Sequence, residues 1–138
     1  TNKILKGKKI DIYNKGKMYR DYTYIDDIVD GIYKLINKQP SLNKKRKFKN
    51  DSLSPVAPFR ILNIGNTKRV FLLDFINTLE KELNKKINKN YMPMQKGDVI
   101  STCANLENLE KWIGITPGTS IKEGISIFIK WYKKYYGK

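Results

Sequence analysis

Arg20-Asp21-Tyr22-Thr23-Tyr24-Ile25-Asp26-Asp27 packs a guanidinium, three carboxylates, two phenols and a hydroxyl into eight consecutive residues. The stretch from Met18 to Ile25 reads as extended. Asp26 and Asp27 then open a helix, with acidic side chains at its positive end. The apolar residues of that helix, Ile28, Val29, Ile32, Leu35 and Ile36, recur at spacings of three and four. The octet therefore straddles a strand-to-helix junction, where α/β folds tend to place ligands. Two readings are open at this point. It is an ordinary strand and helix cap with Arg20 in a surface salt bridge, or it is one wall of an anion-binding cleft.

Working outward, Lys9–Tyr13 alternates as a strand and Asn14-Lys15-Gly16 is a turn signal. Thr1-Asn-Lys-Ile-Leu-Lys-Gly7 resembles the last turns of a helix closed by glycine, which reads either as a processed terminus or as the back part of a longer polypeptide. Downstream, Arg60–Ile64 is a buried-strand candidate leading into Asn63-Ile64-Gly65-Asn66. Phe71–Leu83 reads as a helix burying Leu72, Phe75, Ile76, Leu79 and Leu83, and Ile87–Met92 as a short strand. Gly97-Asp98 interrupts any period and makes Met94–Val99 a loop. Asn105 caps a short helix through Trp112 that Gly114 ends. Ser120-Ile-Lys-Glu123 is a capping box for a last helix burying Ile121, Ile125, Phe128, Ile129 and Tyr132. Strands mixed with helices predict an α/β or α+β layer structure.

The chain has 138 residues, the size of one domain, with 40% hydrophobic residues, enough for a core. No apolar run approaches the roughly 20 residues of a membrane-spanning helix, so no membrane partner is expected. Cys103 is the only cysteine and there is no histidine, which excludes an internal disulfide, an imidazole base and a His-ligated metal. A reducing cytoplasm is the expected compartment. The net charge of +15 invites a nucleic-acid partner. Yet Lys, Asn, Ile and Tyr, whose codons are rich in A and T, supply 64 of the 138 residues, whereas Arg occurs four times. Groove readers favour arginine for bidentate contacts. The charge therefore reads as composition drift on solvated faces, and no nucleic-acid partner is expected. Lys44-Lys45-Arg46-Lys47, inside the Pro-containing stretch 38–58, reads as a solvated surface loop.

No Gly-x-Gly-x-x-Gly, phosphate loop, metal cluster or nucleophile elbow is present. Tyr13-Asn-Lys-Gly-Lys17 matches Tyr-x-x-x-Lys, an acid/base pair that works when both side chains share one helical turn. Asn14 and Gly16 put it in a hairpin instead, and the match reads as coincidence. A second polar cluster, Gln95-Lys96-Gly97-Asp98, is by itself a polar turn. Together with the first it resembles the other side of an anion-binding cleft, Arg20 facing phosphate and Asp98 facing hydroxyl groups.

Lys9–Ile32, with Arg20-Asp-Tyr-Thr-Tyr-Ile-Asp-Asp27 inside it, closely resembles the NAD-dependent epimerase/dehydratase family of extended short-chain dehydrogenases, its UDP-glucuronate 4-epimerase branch above all. Leu62-Asn-Ile-Gly-Asn66, Met94-Gln-Lys-Gly-Asp-Val99 and Ile129-Lys-Trp-Tyr132 extend the resemblance over nearly the whole chain, apart from a basic surface insert at about 40–56. The resemblance implies the C-terminal part of an extended Rossmann-type nucleotide-sugar epimerase: the end of a parallel sheet plus a small α/β substrate-binding domain. The NAD-binding portion, with the catalytic Thr/Ser, Tyr and Lys, would lie in a part this chain does not contain. No catalytic or cofactor-binding residue is therefore expected here.

Carried over by position, Arg20 implies the arginine on the nucleotide diphosphate, Asp98 the aspartate facing the ribose, and Ile12 and Tyr13 the strand flanking the uracil. Gln95 stands where many relatives have a second phosphate arginine, leaving Arg20 as the main anchor. The implied reaction is removal of hydride from sugar C4 by NAD, rotation of the 4-keto sugar and return of hydride to the other face. A UDP-sugar is the implied substrate. Members commonly dimerise, which allows a homodimer for the intact enzyme and leaves this chain's own state open. The rivals are a sister dehydratase, decarboxylase or reductase, a basic nucleic-acid-binding module, and a remnant that keeps the fold without catalysis.

Overall fold

A computed structural model describes residues 1–41 and 49–137, which form two compact units. The basic run Lys44–Lys47 lies outside the described residues. The first unit comprises Thr1–Arg20, Arg69–Thr102 and Ser120–Lys138. It opens on a single helical turn, α1 (Asn2–Leu5), with Ile4 buried. Strand β1 (Ile10–Ile12) pairs in parallel with β4 (Lys89–Tyr91), Ile10 opposite Lys89 and Ile12 opposite Tyr91. Parallel neighbours cannot be joined by a hairpin, so everything from the β1 turn to the end of the intervening helix is crossover. That turn, Tyr13–Gly16, is a 3₁₀ turn with Asn14 and Lys15 at φ 49° and 50°. A Cβ on Gly16 would meet the Leu73 side chain at 2.4 Å, and its φ is +79°. Tyr13 and Lys17 thus do not share a helical turn.

Strand β2 (Tyr19–Asp21) lies beside β3 (Arg69–Phe71), with Tyr19 and Phe71 in ring contact at 5.1 Å. Helix α3 (Leu72–Leu83) follows without a loop and packs on α5 (Ile121–Tyr136). Ser120 Oγ accepts from the Glu123 N–H at 3.2 Å, so the predicted cap of α5 is formed. The core of this unit is aliphatic: Ile4, Ile12, Ile76, Leu79, Leu83, Ile87, Ile125 and Ile129. Phe128 is not part of it, contrary to the helical periodicity. It stands 5.8 Å from Trp131, which stacks on Tyr135 at 5.4 Å. These three residues form a neighbouring strip at spacings of three and four, one position off the buried stripe of Ile125, Ile129 and Tyr132.

The second unit comprises Asp21–Lys68 and Cys103–Thr119 and carries α2 (Ile25–Ile36) and α4 (Glu107–Ile113). Ile25, read as extended, is the first residue of α2. Gly114 ends α4 at φ 70°, as the sequence predicts, whereas the N-cap is Leu106 and Asn105 stands one residue earlier, its side chain accepting from the Glu107 N–H at 2.9 Å. The apolar stripe of α2 is present but largely uncovered: Val29, Ile32 and Ile36 are more than half exposed, as are Ile25 and Tyr33. What this helix buries is Gly31, lying close to Ile64 and Ile115. Periodicity locates an apolar face and says nothing of what covers it.

Arg60–Ile64 is not a strand. A strand requires a ladder partner, and here the polar groups turn to side chains. Ser52 Oγ both accepts from the Ile61 N–H at 2.8 Å and donates to its carbonyl at 2.6 Å. Arg60 donates through Nε and Nη2 to both oxygens of Asp51, at 2.8 and 2.9 Å, and its guanidinium lies 3.7 Å from the centre of the Trp112 ring. The two side chains are 3% and 0% exposed, so this is a buried bidentate ion pair stacked on an aromatic face.

Candidate functional site

Residues 78 apart in sequence meet at β2. Arg20 Nη2 donates to Asp98 Oδ1 at 2.7 Å, the two side chains being 23% and 31% exposed. Arg20 Nη1 donates to the Tyr19 carbonyl at 2.9 Å. The loop bearing Asp98 is stitched to the same strand, with the Tyr19 N–H on the Ile100 carbonyl at 2.8 Å and the Thr102 N–H on the Tyr19 carbonyl at 3.3 Å. Of the two readings of the octet, the salt bridge is observed, and the partner of Arg20 is the other residue singled out by the sequence. A partly exposed arginine held at two points, with further N–H donors to spare, is suited to a phosphate or carboxylate group.

Gln95 is exposed in the same loop, and its carbonyl accepts from the Asp98 N–H at 3.3 Å, closing the Gly97 turn. Tyr13 is half-buried at the start of the 3₁₀ turn. That turn is tied to the stretch before the loop, since the Lys15 N–H reaches the Met92 carbonyl at 3.1 Å and the Met92 N–H reaches the Ile12 carbonyl at 2.9 Å. Ile12 is 1% exposed within the core, so what it offers is a fixed strand, and Tyr13 is the residue of the pair with surface. All five residues belong to the first unit. The structure joins Arg20 to Asp98 by side chain, and the others only through backbone.

In the second unit, Asp21 gathers backbone donors: the N–H groups of Asn66, Thr67 and Ala104, at 2.8, 3.2 and 2.8 Å. Asp27, read as a charge at a helix start, accepts from the Thr119 N–H at 3.0 Å and the Thr119 hydroxyl at 2.9 Å. Asn66 donates to the Thr119 carbonyl at 2.8 Å. The sequence showed these residues as polar but not what they hold, because the partners lie 45 to 92 positions away. The Tyr24 phenol is pushed up from its ordinary value by burial and then by the charge of Asp26. Among the described residues no group of His, Cys, Asp and Glu could hold a metal ion, and no helix is long and apolar enough to cross a membrane.

A parallel strand pair with helices packed beside it places the chain in the α/β class of fold. Residues 1–49 match the model of the NAD dependent epimerase/dehydratase family. Over 139 residues the chain is 42% identical to Protein CapI of Staphylococcus aureus, covering 100% of this chain and 42% of that protein. It is 41% identical over 135 residues to a probable UDP-glucuronate 4-epimerase of Rhizobium meliloti, covering 96% and 40%. The crystal structure of UDP-glucuronic acid 4-epimerase from Bacillus cereus, in complex with UDP-glucuronic acid and NAD, shares the fold with a TM-score of 0.75 at 24% identity. It covers 98% of this chain and 38% of that one. Its first third thus matches the NAD dependent epimerase/dehydratase family, and nearly its whole length is similar to part of these relatives. It spans about two-fifths of the length of the curated relatives it matches.

Proposed function

We propose that this chain is the nucleotide-sugar-binding part of an NAD-dependent UDP-glucuronate 4-epimerase, with Arg20 anchoring the substrate diphosphate. The observation that carries the reading is the Arg20–Asp98 pair, an anion donor and a hydroxyl acceptor set side by side in a stitched frame. The relatives named above support the choice of reaction.

NAD itself does not fit the residues present. A dinucleotide pyrophosphate needs a glycine-rich turn between a parallel strand and a helix N-terminus. The glycines of positive φ here, Gly7, Gly16, Gly97, Gly114 and Gly137, each sit in an isolated turn or helix end. The task of this chain is therefore positional. Arg20 would take the diphosphate, Asp98 would accept from the ribose hydroxyls, and Gln95 would donate an uncharged amide hydrogen bond. Tyr13, on the strand fixed by Ile12, would flank the uracil. Binding energy won far from sugar C4 would hold the sugar in place for reaction.

Arg20→Ala in the full-length polypeptide is expected to raise KM for UDP-glucuronate by about tenfold or more, as loss of a charge-assisted contact should. NAD retention should be little changed. Steady-state kinetics decides the point: an unchanged KM would sink the assignment of Arg20. Product analysis by NMR separates C4 inversion from the sister dehydratase, decarboxylase and reductase reactions.

A further inference from the structure

A carboxylate beside a phosphate-binding arginine should, by its charge alone, oppose a dianion. We propose that Asp98 does the reverse, acting as a positioning residue that holds the Arg20 guanidinium ready for the diphosphate. The inference rests on the reading of Arg20 as the diphosphate anchor.

Four observations carry it. Arg20 is tethered through two different nitrogens, Nη2 to Asp98 Oδ1 at 2.7 Å and Nη1 to the Tyr19 carbonyl at 2.9 Å. Two tethers on a planar group fix its plane as well as its position, and spare binding the cost of ordering a long side chain. Both tethers share one frame, because Tyr19 is bonded to Ile100 and Thr102 in the segment that leaves the Asp98 loop. Asp98 is itself held, its Oδ1 accepting from the Val99 N–H at 2.8 Å. The third atom of interest is Asp98 Oδ2, which takes no partner among the described residues. The carboxylate is thus divided, one oxygen organising the guanidinium and the other left to accept from hydroxyl groups. Arg20 retains its Nε–H and one hydrogen on each terminal nitrogen for an anion. A ligand carrying a diphosphate next to a ribose fits that division, and its two ends would be coupled through one carboxylate.

The test is a double-mutant cycle on UDP binding, by equilibrium titration of the full-length polypeptide carrying Asp98→Asn, Arg20→Ala or both. With Arg20 present, Asp98→Asn should weaken UDP by about tenfold, and in the Arg20→Ala background by only about threefold, the part owed to its own contact with the ribose hydroxyls. An equal loss in both backgrounds means that Asp98 acts only through its own contacts, and overturns the proposal. So does unchanged or tighter binding by the single Asp98→Asn variant, the sign expected of charge alone. If Arg20→Ala leaves UDP affinity untouched, the anchor reading itself fails. If Arg20→Ala weakens UDP and Asp98→Asn does not, only the positioning role fails. Should Asp98→Asn fold poorly by thermal melting, Asp98→Glu in the same two backgrounds decides. It keeps the charge and moves the tether by one methylene, so its loss must again depend on Arg20.

Discussion

The backbone around Asp21 is held in conformations that the local sequence alone would not choose. Thr67 has a φ of +61°, a left-handed position costly for a β-branched residue. Its N–H, with those of Asn66 and Ala104, donates to the Asp21 carboxylate. Charge-assisted bonds to a fixed acceptor offset that strain. Room at this point is also limited. A Cβ on Gly65 would sit 2.4 Å from the Ala104 Cβ and 2.9 Å from Asp21 Oδ2, so a side chain there must push one loop or the other. Gly65→Ala is expected to destabilise by about 1–3 kcal/mol, in the range of overpacking. Chemical denaturation measures it, and an unshifted midpoint would show that the Ala104 loop yields freely.

At the scale of elements, a glutamate ties the end of α3 to the start of β4. Glu80 Oε1 accepts from the Ile87 N–H at 2.8 Å and from Lys89 Nζ at 2.9 Å. The Ile87 N–H foremost, then Lys89, hold its carboxyl below the ordinary value of 4.5. The folded state therefore binds this proton more weakly than the unfolded chain does. Its stabilising contribution is complete above that ordinary value, which the unfolded chain keeps, and is lost as pH falls through the lower folded value. Glu80→Gln should lower the melting temperature at neutral pH and flatten its fall between about pH 5 and pH 3. Parallel acid profiles of the two proteins would remove Glu80 from the account. The same clip shows what periodicity conveys and what it omits. The stripe of Ile76, Leu79 and Leu83 is legible in the sequence and buried as expected. The loop-spanning bond that joins α3 to a strand is not, since nothing in the spacing of Glu80 and Ile87 names a partner.

Across the whole molecule, each unit carries apolar surface of its own. The first exposes Trp131, Tyr135 and Tyr136 on α5, and the second exposes Ile25, Val29, Ile32, Tyr33 and Ile36 on α2. Contiguous apolar patches of this kind on a free chain favour association. The isolated 138-residue chain is expected to self-associate as concentration rises, by sedimentation velocity, and to show no heat of NAD binding at micromolar concentrations. Micromolar NAD binding would contradict the absence of a dinucleotide cradle in this chain, and a monomer at all concentrations would contradict the association.

The sequence by itself determined most helix boundaries and the caps at Gly114 and Ser120. Those are local properties, set by spacing, turn chemistry and capping within a few positions. Tertiary structure decided the rest. It turned the expected strand at Arg60–Ile64 into a segment pinned by Ser52 and a buried Arg60–Asp51 pair. It left the α2 stripe open, excluded Phe128 from the core and made Asp98 the partner of Arg20. The physical reason is common to all four. Burial and pairing depend on what lies across the fold, and a one-dimensional pattern records only that a face or a charge needs a partner.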